Sequence, residues 1–297
     1  MSQVVFFSPF VHSPFESFLM FTILNKTRLN GQIVLLEVEA GEITRHAKAG
    51  QFIVLRIDER GERIPLTIYD MDREKKTLSI VIQEIGKSTK KLGMLNAGDA
   101  IRDLIGPLGH PTAIQNFGKV LCVGGGVGTA PLFPITRSLV EHGNDVDIVL
   151  GFKNKDLIIL EDRMRALSRC ITTTDDGSNG RKGLVTDVMR ELLLKEKYDK
   201  AFIIGPLIMM KFASRVTLEF NVPTIVSLNS VMVDGTGMCG GCRVGVGTDT
   251  KFACVDGPEF DAATVHFDEM LLRQNRYGLQ EKESLELHHK ECPWQDR

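Results

Sequence analysis

Nowhere in its 297 residues does the chain hold the roughly eighteen or more consecutive apolar residues that a membrane-spanning helix requires. Direct insertion into a bilayer is therefore not expected. A charge of one sign is missing too, with 36 Lys and Arg against 38 Asp and Glu and a formal net charge of -2. So neutral a chain lacks the basic surface that nucleic acid demands, and no nucleic-acid partner is expected. Cysteine is sparse, at six residues, and is not arranged as a disulfide framework, which suits metal binding in a reducing, cytoplasmic setting. The first nineteen residues are rich in Phe but carry no Lys or Arg ahead of the apolar part, and Pro9, His12 and Pro14 interrupt it, so no export signal is read there. No self-contained nucleophile, base and orienter triad stands out, so no catalytic side chain is assigned.

What is present is the composition of a soluble globular protein, 43% hydrophobic and 25% charged, long enough for two domains and an appendage. Its chemistry concentrates between Val233 and Cys254, VDGTGMCGGCRVGVGTDTKFAC. Cys239, Cys242 and Cys254 form a C-x2-C pair followed by eleven residues and a third Cys. Three thiolates are one short of the usual complement for structural zinc or an iron–sulfur cluster. Asp234 stands five residues before Cys239, where the plant-type [2Fe-2S] pattern has its first ligand, and a carboxylate can ligate iron. Gly235, Gly237, Gly240 and Gly241 suit a tightly bent loop that turns backbone N–H groups towards sulfur. The candidate ligand set is Asp234, Cys239, Cys242 and Cys254, for a [2Fe-2S] cluster or, alternatively, zinc. Cys122, Cys170 and Cys292 are scattered and read as core or incidental, and His288 and His289 as solvated.

Residues 20 to 112 read as short strands, FTILNKTRL, GQIVLLEVEA, GQFIVLRID, RIPLTIYD and TLSIVIQEI, which predict a small antiparallel barrel or sandwich. One short helix is predicted over 87 to 95, and GPLG at 106 to 109 reads as a closing turn. Arg63, Pro65 and Thr67 share a strand with Leu66, Arg63 and Thr67 on one face. Gly86, Lys87, Ser88 and Thr89 form a turn able to receive an anion. Together these residues could hold a diphosphate and a flat ring; the bland reading is a solvated strand and a capped turn.

From Lys119 strands alternate with helices, which predicts a mostly parallel sheet covered on both faces. Its first strand ends in VGGGVGTAP, where Gly124, Gly125, Gly126 and Gly128 would let a pyrophosphate approach the following helix N-terminus. The G-x-G-x-x-G pattern is incomplete, because Thr129 takes the sixth place. Asp175, Asp176 and Gly177 follow one later strand, and Gly205 and Pro206 another, all at the carboxyl edge where such sheets bind ligands. An Asp there would favour NAD(H), while Lys153 and Lys155 keep the 2'-phosphorylated form open. The last residues predict a helix through FDEMLLRQNRY and then a polar segment, with Met270, Leu271 and Leu272 in need of cover.

In this order, Arg63-x-Pro65-x-Thr67, Gly86-x-Ser88-Thr89, the glycine turn, Gly205-Pro206 and the cysteine segment resemble the ferredoxin-reductase superfamily. The resemblance is closer to the branch holding the electron-transfer subunit of dihydroorotate dehydrogenase and the small subunit of NADH-dependent reduced ferredoxin:NADP oxidoreductase. It implies a multidomain β + α/β fold: an antiparallel flavin-binding barrel of six strands, a parallel-sheet nucleotide-binding domain and a small C-terminal [2Fe-2S] domain. Arg63 and Thr67 would contact FAD, Gly86 to Thr89 its pyrophosphate, and the glycine turn NAD(H), with nicotinamide entering from the Gly205 side. The implied division is an extension over 1–19, the FAD barrel over 20–112, the NAD(H) domain over 113–227, the cluster segment over 228–262 and a helical, polar tail over 263–297. Asp234 replaces a cysteine of the dihydroorotate-linked branch and resembles the aspartate of the ferredoxin:NADP branch. That branch implies a larger glutamate-synthase-like partner with its own flavin and iron–sulfur centres, ferredoxin reached through the complex, and electron bifurcation. Two alternatives stay open: the dihydroorotate-linked subunit itself, and a zinc-stabilised nucleotide-binding module without redox turnover.

Overall fold

The computed structural model describes residues 20–291, the side chains of 275 and 288–291 excepted, so the His288, His289 and Cys292 grouping lies outside what is described. The first domain runs β1 (Phe21–Asn30), β2 (Ile33–Glu39), α1 (Gly41–His46), β3 (Phe52–Arg56), β4 (Ile64–Asp72), β5 (Thr77–Gln83), α2 (Lys87–Met94), β6 (Ala100–Ile101) and β7 (Asp103–Leu108). The five runs read in the sequence become β1 to β5. Their period-two patterns send Val34, Leu36 and Val38 of β2, and Leu78, Ile80 and Ile82 of β5, into one core that Ile43 of α1 and Leu92 of α2 complete.

The sheet order is β6-β1-β2-β5-β4-β3-β7, with antiparallel pairing between neighbours. Only Arg102 separates β6, paired to β1, from β7, paired to β3, so one broken run almost closes a six-membered barrel. Closure of this kind leaves few strand edges exposed. The reading of GPLG as a turn is corrected here, because Gly106, Pro107 and Leu108 belong to β7. A Cβ on Gly106 would lie 2.8 Å from Ile53 Cγ2, so close packing against β3 selects the glycine. Helix α1, absent from the sequence reading, is a six-residue element between β2 and β3.

The second domain comprises β8 (Lys119–Gly125), a 3-10 turn (Gly126–Gly128), α3 (Thr129–Glu141), β9 (Asp145–Phe152), α4 (Glu161–Arg165), β10 (Arg169–Thr174), α5 (Val185–Leu193), β11 (Lys200–Ile204), α6 (Leu207–Glu219) and β12 (Thr224–Ser227). Strands β10-β9-β8-β11-β12 run parallel, which is the doubly wound order with a switch point between β8 and β11. Val120 to Val123 and Ile148 to Leu150 are buried on both faces, as unbroken apolar runs in a covered parallel sheet should be.

After β12 the chain makes an excursion containing the hairpin β13 (Arg243–Val246) and β14 (Asp249–Phe252), then returns as β15 (Glu259–Asp261). Strand β15 pairs antiparallel with β12, Val226 opposite Phe260, and Leu228 N donates to Pro258 O at 2.9 Å. Both ends of the excursion are thereby pinned to one sheet edge. Next come α7 (Phe267–Gln274), packed on α6 and β13, and α8 (Gly278–Glu291), which lies against α2. Met270 is covered and Leu271 partly so, whereas Leu272 is exposed. The polar segment that follows is helical as well, since after Gly278 α8 holds no Gly or Pro and consists largely of Leu, Glu, Gln and Lys. No described helix is long and apolar enough to cross a membrane.

The two domains are tied where the excursion returns. His110 N donates to Gly257 O at 2.7 Å, and Thr112 Oγ1 donates to Glu259 Oε1 at 2.6 Å. Desolvation pushes the Glu259 carboxyl up to about 7, against the pull of the Thr112 hydroxyl. A folded value above the ordinary 4.5 means that stability from this group is full below about 4.5 and lost as pH rises through about 7. Replacing Glu259 with Gln should therefore flatten the stability profile between about pH 5 and about pH 8, leaving the variant about 1–3 kcal/mol ahead at the alkaline end in urea unfolding. Parallel profiles for variant and parent would exclude Glu259 as the titrating group.

Candidate functional site

A cavity of about 1380 Å³ lies between the barrel and the parallel sheet. This exceeds the roughly 300–1,000 Å³ of ordinary small-ligand sites, and leaves space for more than one nucleotide-sized group. On the sheet side the carboxyl ends of all five parallel strands reach it, through Gly125, Phe152, Asp175, Gly205 and Leu228. On the barrel side it meets Pro65, Leu66 and Thr67 of β4, with Val81, Gln83 and Thr89.

The structure therefore brings Pro65, Leu66, Thr67, Thr89, Gly125, Gly126, Gly128, Asp175, Gly205 and Pro206 around one space. Arg63, Gly86, Lys87, Ser88, Gly124, Thr129, Asp176 and Gly177 fall outside its lining. Arg63 precedes β4 and is exposed. Ser88 Oγ is held by Glu62, and Thr89 Oγ1 accepts from Gly86 N at 3.0 Å, capping the first turn of α2. Asp176 is bound by Ser178 through its hydroxyl at 2.7 Å and its N–H at 2.9 Å, and these bonds, the hydroxyl first, lower its pKa.

The glycine turn fits a pyrophosphate by what it leaves out. A Cβ on Gly128 would sit 2.6 Å from Ile204 O and 2.8 Å from Gly205 Cα, so the turns after β8 and β11 touch backbone to backbone. Gly126, at φ 53°, has open space where its side chain would be. Beyond it α3 begins, and its first N–H groups have no partners within the helix. Thr129 Oγ1, fully buried at the start of α3, has no hydrogen-bond partner among the described residues.

In the cysteine loop the four candidate ligands meet as two pairs. Cys239 Sγ donates to Asp234 Oδ1 at 3.0 Å, and Cys242 Sγ lies 3.2 Å from Cys254 Sγ. Gly235, Gly237 and Gly240, all at positive φ, make the bends that return the chain to these contacts. Backbone N–H groups point at sulfur: Gly241 N is 3.4 Å from Cys239 Sγ, and Cys254 N is 3.4 Å from Cys242 Sγ. The Cys239 thiol, then the Thr236 hydroxyl and Met238 N–H, hold the Asp234 carboxyl well below its usual range. Burial, and after it the Cys242 thiol, pushes the Cys254 thiol up to about 12, a proton that metal binding would displace. Among the described residues no three His, Cys, Asp or Glu side chains are grouped as ligands of a single ion. Two ligand pairs fit a two-iron cluster, in which each iron takes two protein ligands, better than one tetrahedral zinc.

Sequence reasoning missed Val81, Gln83, Phe152, Met209, Asn229 and Gln274, which also line the cavity. Their signal is purely spatial, since they are spread over β5, β9, α6, α7 and the loop after β12, and none belongs to a motif.

Two family models match: the oxidoreductase NAD-binding domain over residues 122–215, and the iron-sulfur cluster binding domain of dihydroorotate dehydrogenase B over 229–266. The chain is 34% identical over 233 residues to the dihydroorotate dehydrogenase B (NAD(+)) electron transfer subunit of Streptococcus pneumoniae, covering 76% of this chain and 92% of the relative. Identity is 47% over 264 residues with the Thermotoga maritima homolog of that subunit, covering 89% of this chain and 94% of the relative. The chain belongs to this electron-transfer subunit family. A solved relative, a chain from the NADH-dependent reduced ferredoxin-NADP oxidoreductase structure described for flavin-based electron bifurcation, is 45% identical. It superposes with a TM-score of 0.86 over 90% of this chain and 97% of its own. The family assignment agrees with the two-domain architecture, the NAD-binding sheet and the iron–sulfur loop.

Within this family fold, the close approach of Gly128 to β11 is open to test. Gly128→Ala should cost about 1–3 kcal/mol in urea unfolding, because only backbone atoms stand in the way, and should weaken NADH binding about tenfold or more. Unchanged stability and NADH affinity would show that the two turns do not touch as described.

Proposed function

We propose that this chain takes electron pairs from NADH through FAD and passes them singly through a [2Fe-2S] cluster to a larger partner subunit. The observation that carries the reading is that both stems of the cysteine loop, Leu228 and Asn229 on one side and Pro258 on the other, line the same cavity as β4 and the glycine turn. Nucleotide site and metal loop thus share a wall.

FAD, NAD(H) and the cluster, when bound, supply hydride exchange and one-electron transfer, and the protein supplies position and electrostatics. Pro65, Leu66 and Thr67 offer FAD a firm strand face, with Arg63 as an exposed cation just before it, and the turn Gly86, Lys87, Ser88 and Thr89 would receive its pyrophosphate through first-turn N–H groups of α2, the Ser88 and Thr89 hydroxyls being already engaged. Gly124, Gly125, Gly126, Gly128 and Thr129 cradle the NAD(H) pyrophosphate at the start of α3. Asp175, Asp176 and Gly177 border the adenosine side, and Gly205 and Pro206 admit the nicotinamide. Asp234 and Cys239 hold one iron, and Cys242 and Cys254 the other.

For the partner, identity does not separate the branches, being 45% to the ferredoxin-NADP oxidoreductase chain and 47% to the T. maritima homolog of the dihydroorotate subunit. Asp234 favours the first branch. The larger subunit is then glutamate-synthase-like, reaches ferredoxin and NADP(H), and bifurcates electrons in the cytoplasm. The match of 229–266 to the dihydroorotate dehydrogenase B domain supports the second reading, in which the partner is a dihydroorotate-oxidising barrel. The protein that co-purifies separates the two.

The purified protein should show flavin bands and iron–sulfur absorption, both bleached by NADH. A colourless zinc protein would overturn the proposal. Asp234→Cys should keep full iron with a shifted midpoint potential, because a hard oxygen ligand becomes a soft sulfur one, whereas Asp234→Ala should lose iron. Full iron and an unchanged potential in both variants would remove Asp234 from the ligand set.

A further inference from the structure

A second cavity, of about 210 Å³, opens on the other side of the cysteine loop, walled by Arg243, Arg273, Arg276, Tyr277, Ser230 and Cys239. Three guanidinium groups around so small a space repel one another unless something negative lies between them. Little in the protein answers them. Arg273 is 3.9 Å from Glu269 and 3.5 Å from Gly241 O, both long contacts. Arg243 and Arg276 form no ion pair with any described residue. Arg243 lies over the loop, its Nη1 3.6 Å from where a Cβ on Gly240 would stand.

The cavity falls below the roughly 300 Å³ where drug-sized sites begin, which excludes a nucleotide and admits a small ion. Guanidinium forks match oxyanions, whose paired oxygens accept two parallel N–H bonds.

We propose that this cavity is a binding site for a small oxyanion of the phosphate or carboxylate class, held by Arg243, Arg273 and Arg276. The site needs nothing from the redox reading. One consequence does rest on that reading: an anion beside Cys239 disfavours the more negative, reduced state of a cluster there, and lowers its midpoint potential.

The test uses the cofactor-loaded protein in chloride buffer, titrated by calorimetry with inorganic phosphate and, separately, with malonate at matched ionic strength. Saturable binding of one molecule per chain is expected for at least one of them, and the two arms identify the class. Arg276→Gln, at an exposed position where folding is not at stake, should weaken binding about tenfold. Absence of saturable binding by both anions, or equal binding by parent and Arg276→Gln, would overturn the site. Saturable binding that leaves the midpoint potential unmoved would uphold the site and overturn its coupling to the cluster.

Discussion

The pairing of β15 with β12 is the constraint on which the functional arrangement depends. Thirty residues of glycine-rich chain, from Asn229 to Pro258, leave the sheet and return to the same edge, where Leu228 and Pro258 meet backbone to backbone. Without that return the cysteine loop would be a tail, free to wander from the nucleotide cavity. With it, the loop becomes a closed excursion whose stems form cavity wall, and Glu259 carries the tie onward to Thr112 between the domains.

The same economy of distance shapes the cavity. Glycine at 125, 128 and 205 lets the turns after β8 and β11 approach at the switch point, where any side chain would strike backbone, Met209 or Pro206. Opposite them β4 presents Pro65 to Thr67 from a barrel held in shape by its own near closure. The parallel sheet, the barrel strand and the metal-loop stems are rigid elements, and redox partners placed on rigid elements keep their separation. The contacts Asp234–Cys239 and Cys242–Cys254 extend that logic into the loop, where positive-φ glycines make possible bends that other residues would resist.

Much of this was legible in the residues. Strong periodic runs gave β1 to β5, the strand-to-helix grammar gave the parallel sheet, and cysteine spacing with Asp234 singled out four side chains that the structure brings together in two pairs. What escaped has a common physical cause. β6, β7 and β15 are two, six and three residues long, β7 carries Gly, Pro and a charge and β15 two charges, and all three become strands only because distant partners offer them an edge. Local propensity cannot report a long-range pairing. The hydroxyls of Ser88 and Thr89 looked available in sequence, but Glu62 and the backbone of Gly86 occupy them, a matter of three-dimensional proximity alone. Arg273 was hidden for the same reason: it sits thirty-one residues past Cys242, yet α7 returns it to the loop.

The proposed path carries electrons from NADH to a two-iron cluster held partly by Asp234, and electron paramagnetic resonance of the anaerobic, NADH-reduced protein probes its end point. The low-temperature signal of a reduced [2Fe-2S] cluster is expected, with principal values that change when Asp234 becomes Cys. A flavin reduced by NADH with no cluster signal, or a cluster spectrum identical in the parent and Asp234→Cys, would contradict it.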